Sequence, residues 1–173
     1  MPITSLASGP AREVFDLFVG EEKPNVHITC IDIDSEALRF THEKAQELDI
    51  ADWFTFAREN VIRLAGGRGR TVLKPQQLIY SIGLTDYLED VFVVNLLNWI
   101  YEHLLPGGEV IIGNFDVSNP QKAYMDHILE WILIHRTADD LRQLFSSSKF
   151  GDSDVDVRAE EAGVNLFAFC WKK

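Results

Sequence analysis

At 173 residues, 46% hydrophobic and 25% charged, the chain has the size and composition of one soluble globular domain with a core of its own. A formal net charge of −11 and a pI near 4.8 argue against a nucleic-acid partner, because a phosphate backbone would be repelled. No apolar run approaches the roughly 20 residues of a transmembrane segment, the N-terminus lacks the pattern of a signal peptide, and the expected location is cytoplasmic.

The apolar run 3–7 reads as a first strand. Residues 10–20 place Val14, Leu17 and Phe18 at helical spacing, with Pro10 suited to the first turn and Gly20 to the C-terminal stop. The β-branched run 25–33 is a second strand that ends in acid. Ser35 is the expected cap of a helix over 35–50, with Ala37, Leu38, Ala45 and Leu48 on one face. A third strand follows at 53–57, a short helix at 59–66 and a fourth strand at 76–83. The stretch 63–70, "RLAGGRGR", is the one local basic run and reads as a flexible surface loop.

Residues 88–105 predict an amphipathic helix, 106–108 a turn and 109–115 a fifth strand. Two helical segments, 121–135 and 138–146, break near Thr137, which can cap the second. The tail reads as two strands joined by a glycine-containing turn. Alternation of strand and helix with a late hairpin implies an α/β fold: a doubly wound, mostly parallel seven-stranded sheet, with the hairpin supplying an antiparallel edge strand. The two cysteines, Cys30 and Cys170, lie in strand-like runs and read as reduced core residues. Neither they nor the five histidines show metal-ligand spacing.

In an open α/β sheet, ligands bind beyond the carboxyl ends of the strands, where the first strand–helix turn lies. Here that turn is Ala7-Ser8-Gly9-Pro10-Ala11, small enough for close backbone approach but carrying one glycine, so the dinucleotide fingerprint G-x-G-x-x-G is not met. Asp32, at the end of the second strand, stands where an acid accepts hydrogen bonds from two ribose hydroxyls, whereas Asp34 suits a helix N-terminus. A close backbone with a ribose acid, and no diphosphate cradle, suits a nucleoside-bearing ligand.

These features resemble the motifs of the class I S-adenosylmethionine-dependent methyltransferases, in order and over nearly the whole chain. "SLASGPAREV" resembles their glycine-rich first motif and "CIDIDSEAL" their second. "FARENVIRL", "LIYSIGLTDYLED" and "LLPGGEVIIGNF" resemble those that follow, and the closing hairpin matches the family's antiparallel last strand. The resemblance implies a Rossmann-like methyltransferase fold over residues 1–173 as a single domain, and S-adenosylmethionine as cofactor. It implies that Ala7, Ser8 and Gly9 line the methionine part, Asp32 holds the ribose and Ile33 packs on adenine. Asn60, beside Val61, would accept from the adenine amino group, and Ser81, Ile82 and Gly83 would approach from the other side. Ala7 and Ala11 stand where the family has glycine.

Related enzymes carry N-terminal helices that cover the cofactor, whereas this chain starts almost at the first strand; the expectation is of a piece lacking them, with weak cofactor binding. The segment 114–145 resembles a bacterial subgroup linked to methyl-ester formation on a hydroxy fatty acid. That implies a small-molecule or lipid-like acceptor presenting a carboxylate or a hydroxyl. A carboxylate needs no general base; for a hydroxyl, Tyr87 and His135 are the candidates. Of the other polar groups there, Asn114 and Asn119 read as turn residues, Tyr124 and Trp131 as packing, and His135 with Arg136 as a helix C-terminus. Two further readings stay open: a non-catalytic interaction module on the same fold, and an NAD-dependent oxidoreductase.

Overall fold

The structure, a computed structural model, describes residues 1–19 and 24–173; the expected helix stop at Gly20 lies outside them. Seven strands form one sheet in the order β3-β2-β1-β4-β5-β7-β6. They are β1 (Pro2–Leu6), β2 (His27–Asp32), β3 (Phe54–Arg58), β4 (Gln76–Ser81), β5 (Leu104–Phe115), β6 (Val155–Ala159) and β7 (Asn165–Trp171). β1 to β5 pair in parallel, and β7 runs antiparallel between β5 and β6. The antiparallel strand is therefore inserted one place inside the edge, and β6, not β7, closes the sheet. Chain order within the hairpin could not show which strand lies outermost.

The strand period of two decides the layers. Ile3, Ile28, Cys30 and Tyr80 face one way and bury Val14, Phe18, Leu38 and Ala45; Leu6, Ile31, Ile79 and Ile112 face the other and bury Leu64, Leu96, Ile100 and Leu141. The first layer holds α1 (Ser35–Glu47); the second holds α2 (Val61–Ala65), α3 (Asp90–His103) and α5 (Ala138–Ser146). A further helix, α4, covers only Lys122–His127. No helix among the described residues is long and apolar enough to cross a membrane.

Four local expectations change. The helix expected at 10–20 is a 3-10 segment, Arg12–Phe18, entered through Ala11 in the left-handed region with no side-chain cap. With its first N–H groups uncapped, the chain winds tightly, Ala11 N–H on Ser8 O and Val14 N–H on Ala11 O. Asp34, not Ser35, caps α1, accepting from the N–H groups of Glu36 and Ala37, and Leu48 stays 42% exposed beyond its end. Pro106-Gly107-Gly108 is not a turn before β5 but a bulge within it, where the pairing jumps from Gln76–Leu104 to Leu78–Glu109. The helix expected to reach His135 ends at His127, and Glu130 has φ +51. Thr137 does cap α5, in a reciprocal box with Asp140.

Candidate functional site

The tips of β1 and β2 converge through backbone. Ser8 N–H donates to Ile31 O at 3.2 Å, which lays the turn after β1 across the end of β2. Gly9 N–H then reaches Asp32 Oδ2 at 2.7 Å, while Oδ1 accepts from Asp34 N–H at 2.8 Å. Asp32 is 8% exposed. A carboxylate has about four lone-pair positions, so these two bonds fix the group and leave one acceptor position on each oxygen. Gly9 has φ +52, and a Cβ built on it would meet nothing within 4 Å: glycine is needed for the backbone angle, and the space before it is open. Ala7 and Ala11 hold φ +51 and +42 without that freedom.

Beside this pair lies a hollow of about 130 Å³, lined by Ala7, Asp32, Ile33, Asn60, Val61 and Leu84, with Glu59 and Ile62 at its margin. That is well below the roughly 300 Å³ at which sites for whole small ligands begin, and it suits one flat ring with the remainder lying outside. Ile33 is 58% exposed there, an apolar surface at the mouth. Asn60 is the N-cap of α2: its Oδ1 accepts from the N–H groups of Ile62 and Arg63 at 3.0 and 3.1 Å. Both amide lone pairs are spent, so Asn60 offers a ligand its NH2, a donor rather than the acceptor expected of it. The cap also leaves Val61 N–H as the first-turn donor without an intrahelical partner.

The tip of β4 contributes differently from expectation. Ser81 is fully buried and its hydroxyl donates to Leu6 O at 3.0 Å, tying β4 to β1, so its side chain does not reach the hollow. Ile82 is exposed, Gly83 has φ +81, and Leu84 supplies the hydrophobic wall. Glu59, Ile62 and Leu84 are the lining residues that sequence reading missed; each lies within a stretch that carried a motif, next to or one residue from a residue that was singled out.

On the far side of β4 the arrangement rests on Arg136, which is 2% exposed. Its guanidinium donates to Thr85 O, Leu88 O and Asn114 Oδ1 at 2.8, 2.6 and 2.8 Å, and to Asp90 Oδ1 at 2.7 Å. It is a buried hub, not a charge at a helix end. Asn114, 1% exposed within β5, is a buried partner rather than a turn residue, whereas Asn119, 4% exposed, is a turn residue as expected, its N–H donating to Asp116 O at 3.0 Å and its Oδ1 accepting from Gln121 N–H at 2.9 Å. Asp86 is also buried; it accepts from Phe115 N–H at 2.6 Å, and burial holds its carboxyl above the ordinary range. His135 contacts Leu133 O through Nδ1 at 3.1 Å and Asn119 Nδ2 through Nε2 at 3.4 Å, so both ring nitrogens have partners. Tyr87 is 57% exposed, and its oxygen accepts from Trp131 Nε1–H at 2.9 Å. Tyr124 and Trp131 are surface groups, 52% and 41% exposed, and Ile128 and Ile132 in the same segment are exposed as well.

The fold matches solved structures over 99% of the chain. A protein from Bordetella parapertussis described as a possible exported protein superposes with a TM-score of 0.81 at 20% identity, the match covering 61% of that chain. This is the fold of the class I methyltransferases. The S-adenosylmethionine-dependent methyltransferase SibL matches with a TM-score of 0.75 at 18% identity, over 50% of its chain. An O-methyltransferase family protein from Burkholderia thailandensis gives 0.75 at 12% identity, over 51% of its chain. The methyltransferase-fold domain seen here thus spans about half to three-fifths of the length of these structures. Neither a protein-family pattern nor a curated protein matches the sequence.

Proposed function

We propose that this chain is the nucleoside-binding domain of an S-adenosylmethionine-dependent methyltransferase acting on a small-molecule or lipid-like acceptor. The observation that carries the reading is the Gly9–Asp32 junction. A carboxylate pinned by two backbone donors keeps one acceptor position on each oxygen, the demand of a ribose diol, beside a hollow sized for a base. Asp32 would hold the ribose, with Ile33 and Leu84 against the adenine. Val61 N–H and the Asn60 NH2 would donate to its ring nitrogens. Ala7, Ser8 and Gly9 would lie along the methionine part, faced by Ile82 and Gly83.

The same turn speaks against a dinucleotide. A diphosphate is held by the amides of an α-helix N-terminus, whereas here Pro10 lacks an N–H and a 3-10 segment follows.

When bound, the cofactor supplies a methyl group already activated as a sulfonium, which leaves the protein to align the acceptor and exclude water. The polar groups on the acceptor side favour a carboxylate. His135 has both ring nitrogens engaged, and the Tyr87 oxygen already accepts from Trp131, so neither is poised to take a proton from a hydroxyl. Tyr124, Ile128 and Ile132, exposed in one segment, suit the hydrocarbon part of such an acceptor.

The test is calorimetric titration with S-adenosylhomocysteine. Binding is expected to weaken at least tenfold in Asp32→Ala, and also in Ile33→Asp, a surface change that leaves the core alone. Saturable binding of NADH with none of S-adenosylhomocysteine would overturn the reading.

A further inference from the structure

Four of the nine arginines, Arg58, Arg63, Arg68 and Arg70, line one hollow of about 440 Å³ together with Glu59 and Thr71. The remaining five are accounted for. Arg39, Arg136, Arg142 and Arg158 form ion pairs, and Arg12 lies over the Phe40 ring. Among the described residues, no carboxylate lies within 4.0 Å of the four guanidinium groups in the hollow. Such a cluster is unexpected in a chain with 27 acidic residues, where a surface arginine readily finds a partner.

The one acid present, Glu59, offsets part of this charge but forms no ion pair with any of the four. Glu59 spends its carboxylate on backbone, Oε2 accepting from Arg70 N–H at 2.6 Å and Oε1 from Asn60 N–H at 3.1 Å; these bonds hold it below the ordinary carboxylate range.

The loop that carries the arginines is tied down, contrary to its reading as a flexible segment. Arg68 N–H donates to Arg63 O at 2.8 Å, and Gly67 turns the chain with φ +69. Gly69 lies so close to α2 that a Cβ there would stand 2.5 Å from Leu64 Cδ1 and 2.8 Å from Leu64 Cα. Only glycine permits that approach, which brings Arg68 and Arg70 back beside Arg58 and Arg63. Holding four like charges together costs free energy unless an anion sits among them.

We propose that this hollow is a binding site for a phosphate-bearing anion, adjoining the nucleoside hollow. Guanidinium groups match phosphate oxygens two at a time, which a lysine cluster would not do. The two hollows share Glu59 as a wall, and Arg58 Nε–H donates at 3.2 Å to the carbonyl of Ile33 at the mouth of the smaller one. The phosphate is either free, as phosphate or pyrophosphate, or the tail of a nucleotide whose base enters the neighbouring hollow.

Calorimetric titration with pyrophosphate tests the site without reference to any methyl donor. One saturable site is expected, weakened at least tenfold in Arg63→Gln/Arg70→Gln and unchanged in Arg142→Gln, whose guanidinium pairs with Asp139 elsewhere. Circular dichroism of the double variant checks that it folds, and Arg68→Gln alone, a single exposed change, gives a second reading of the same loss. ADP distinguishes the sources. Binding tenfold tighter than pyrophosphate, in competition with S-adenosylhomocysteine, assigns a nucleotide; equal binding assigns free phosphate. The proposal fails if pyrophosphate shows no saturable binding, if the double variant binds as well as the parent, or if sodium chloride of matched ionic strength abolishes binding.

Discussion

Replacing Arg136 by methionine keeps much of the side-chain volume and removes every donor. Thr85 O, Leu88 O and Asn114 Oδ1 then each lose a partner in a buried region. An unpaired buried acceptor costs about 1–3 kcal/mol, but Thr85 O keeps Leu88 N–H at 3.1 Å, and the Thr85 hydroxyl, 2.7 Å from Gly113 O and 2.9 Å from Asn114 Oδ1, can turn to the latter, so Leu88 O carries most of the penalty. The expected loss is about 1–3 kcal/mol, a fall in melting temperature on the order of 5 °C for a domain of this size. The ion pair is not the source: the Asp90 side chain is 74% exposed, and Asp90→Asn is expected to cost about 1 kcal/mol or less. Arg136→Lys, which supplies three donors without the planar fork, should recover roughly half. Urea denaturation followed by circular dichroism reads all three variants. The reasoning is refuted if Asp90→Asn costs as much as Arg136→Met, for then charge and not donor geometry holds the region, or if Arg136→Met costs less than about 1 kcal/mol.

Burial raises the Asp86 carboxyl, so the native state holds its proton to higher pH than the unfolded chain does. Its contribution to stability is greatest in acid and declines as pH rises from the ordinary aspartate range through its raised native value. Asp86→Asn keeps an oxygen for Phe115 N–H and should gain on the parent as pH climbs from 4 to 7, a trend that parallel urea titrations would show absent if burial is not the cause. Burial also pushes the Cys30 thiol up to about 12 and that of Cys170 up to about 11, so a disulfide reagent at pH 8 should label neither until denaturant is added; prompt labelling of the native protein would contradict this. Gly69→Ala forces a Cβ into Leu64 and should destabilise by about 1–3 kcal/mol, while Gly66→Ala, with no contact under 3.4 Å, should cost far less in the same denaturation assay.

The legible parts of this sequence were those in which local rules and tertiary demand agree. The apolar and β-branched runs in β1 and β2 announced a two-sided sheet, because a strand covered on both faces is buried at nearly every position, as Ile28 to Ile31 is. The acid at the tip of β2 was readable because it ends such a run. Polarity at Asn60 was not readable. A residue type says which atoms exist, whereas the cap on α2 decides which of them remain free, and capping reversed the group from acceptor to donor. The segment after β5 misled for a related reason. Tyr124, Ile128, Trp131 and Ile132 have helical spacing and apolar side chains, but with His127 ending α4 they form a surface rather than a core. Arg136 reads as a surface charge in any local window, since its three neutral acceptors come from stretches 22 to 51 residues away.

The two sides of the crevice are therefore built to change at different rates. Around the β1 and β2 tips, Gly9, Asp32, Asp34 and Asn60 are fixed by bonds to backbone, so altering one disturbs the sheet termini themselves. Around Arg136, β5, the turn after β4 and the start of α3 are joined through one guanidinium, and the groups facing solvent, Tyr87, Trp131 and Ile132, make few bonds that the fold requires. Substitution there leaves the Arg136 hub and the strand tips intact. Under the proposed function, a change of acceptor through Tyr87 or residues 124–132 comes at little cost in stability, whereas a change at Asp32 or Arg136 is paid in folding before it is felt in specificity.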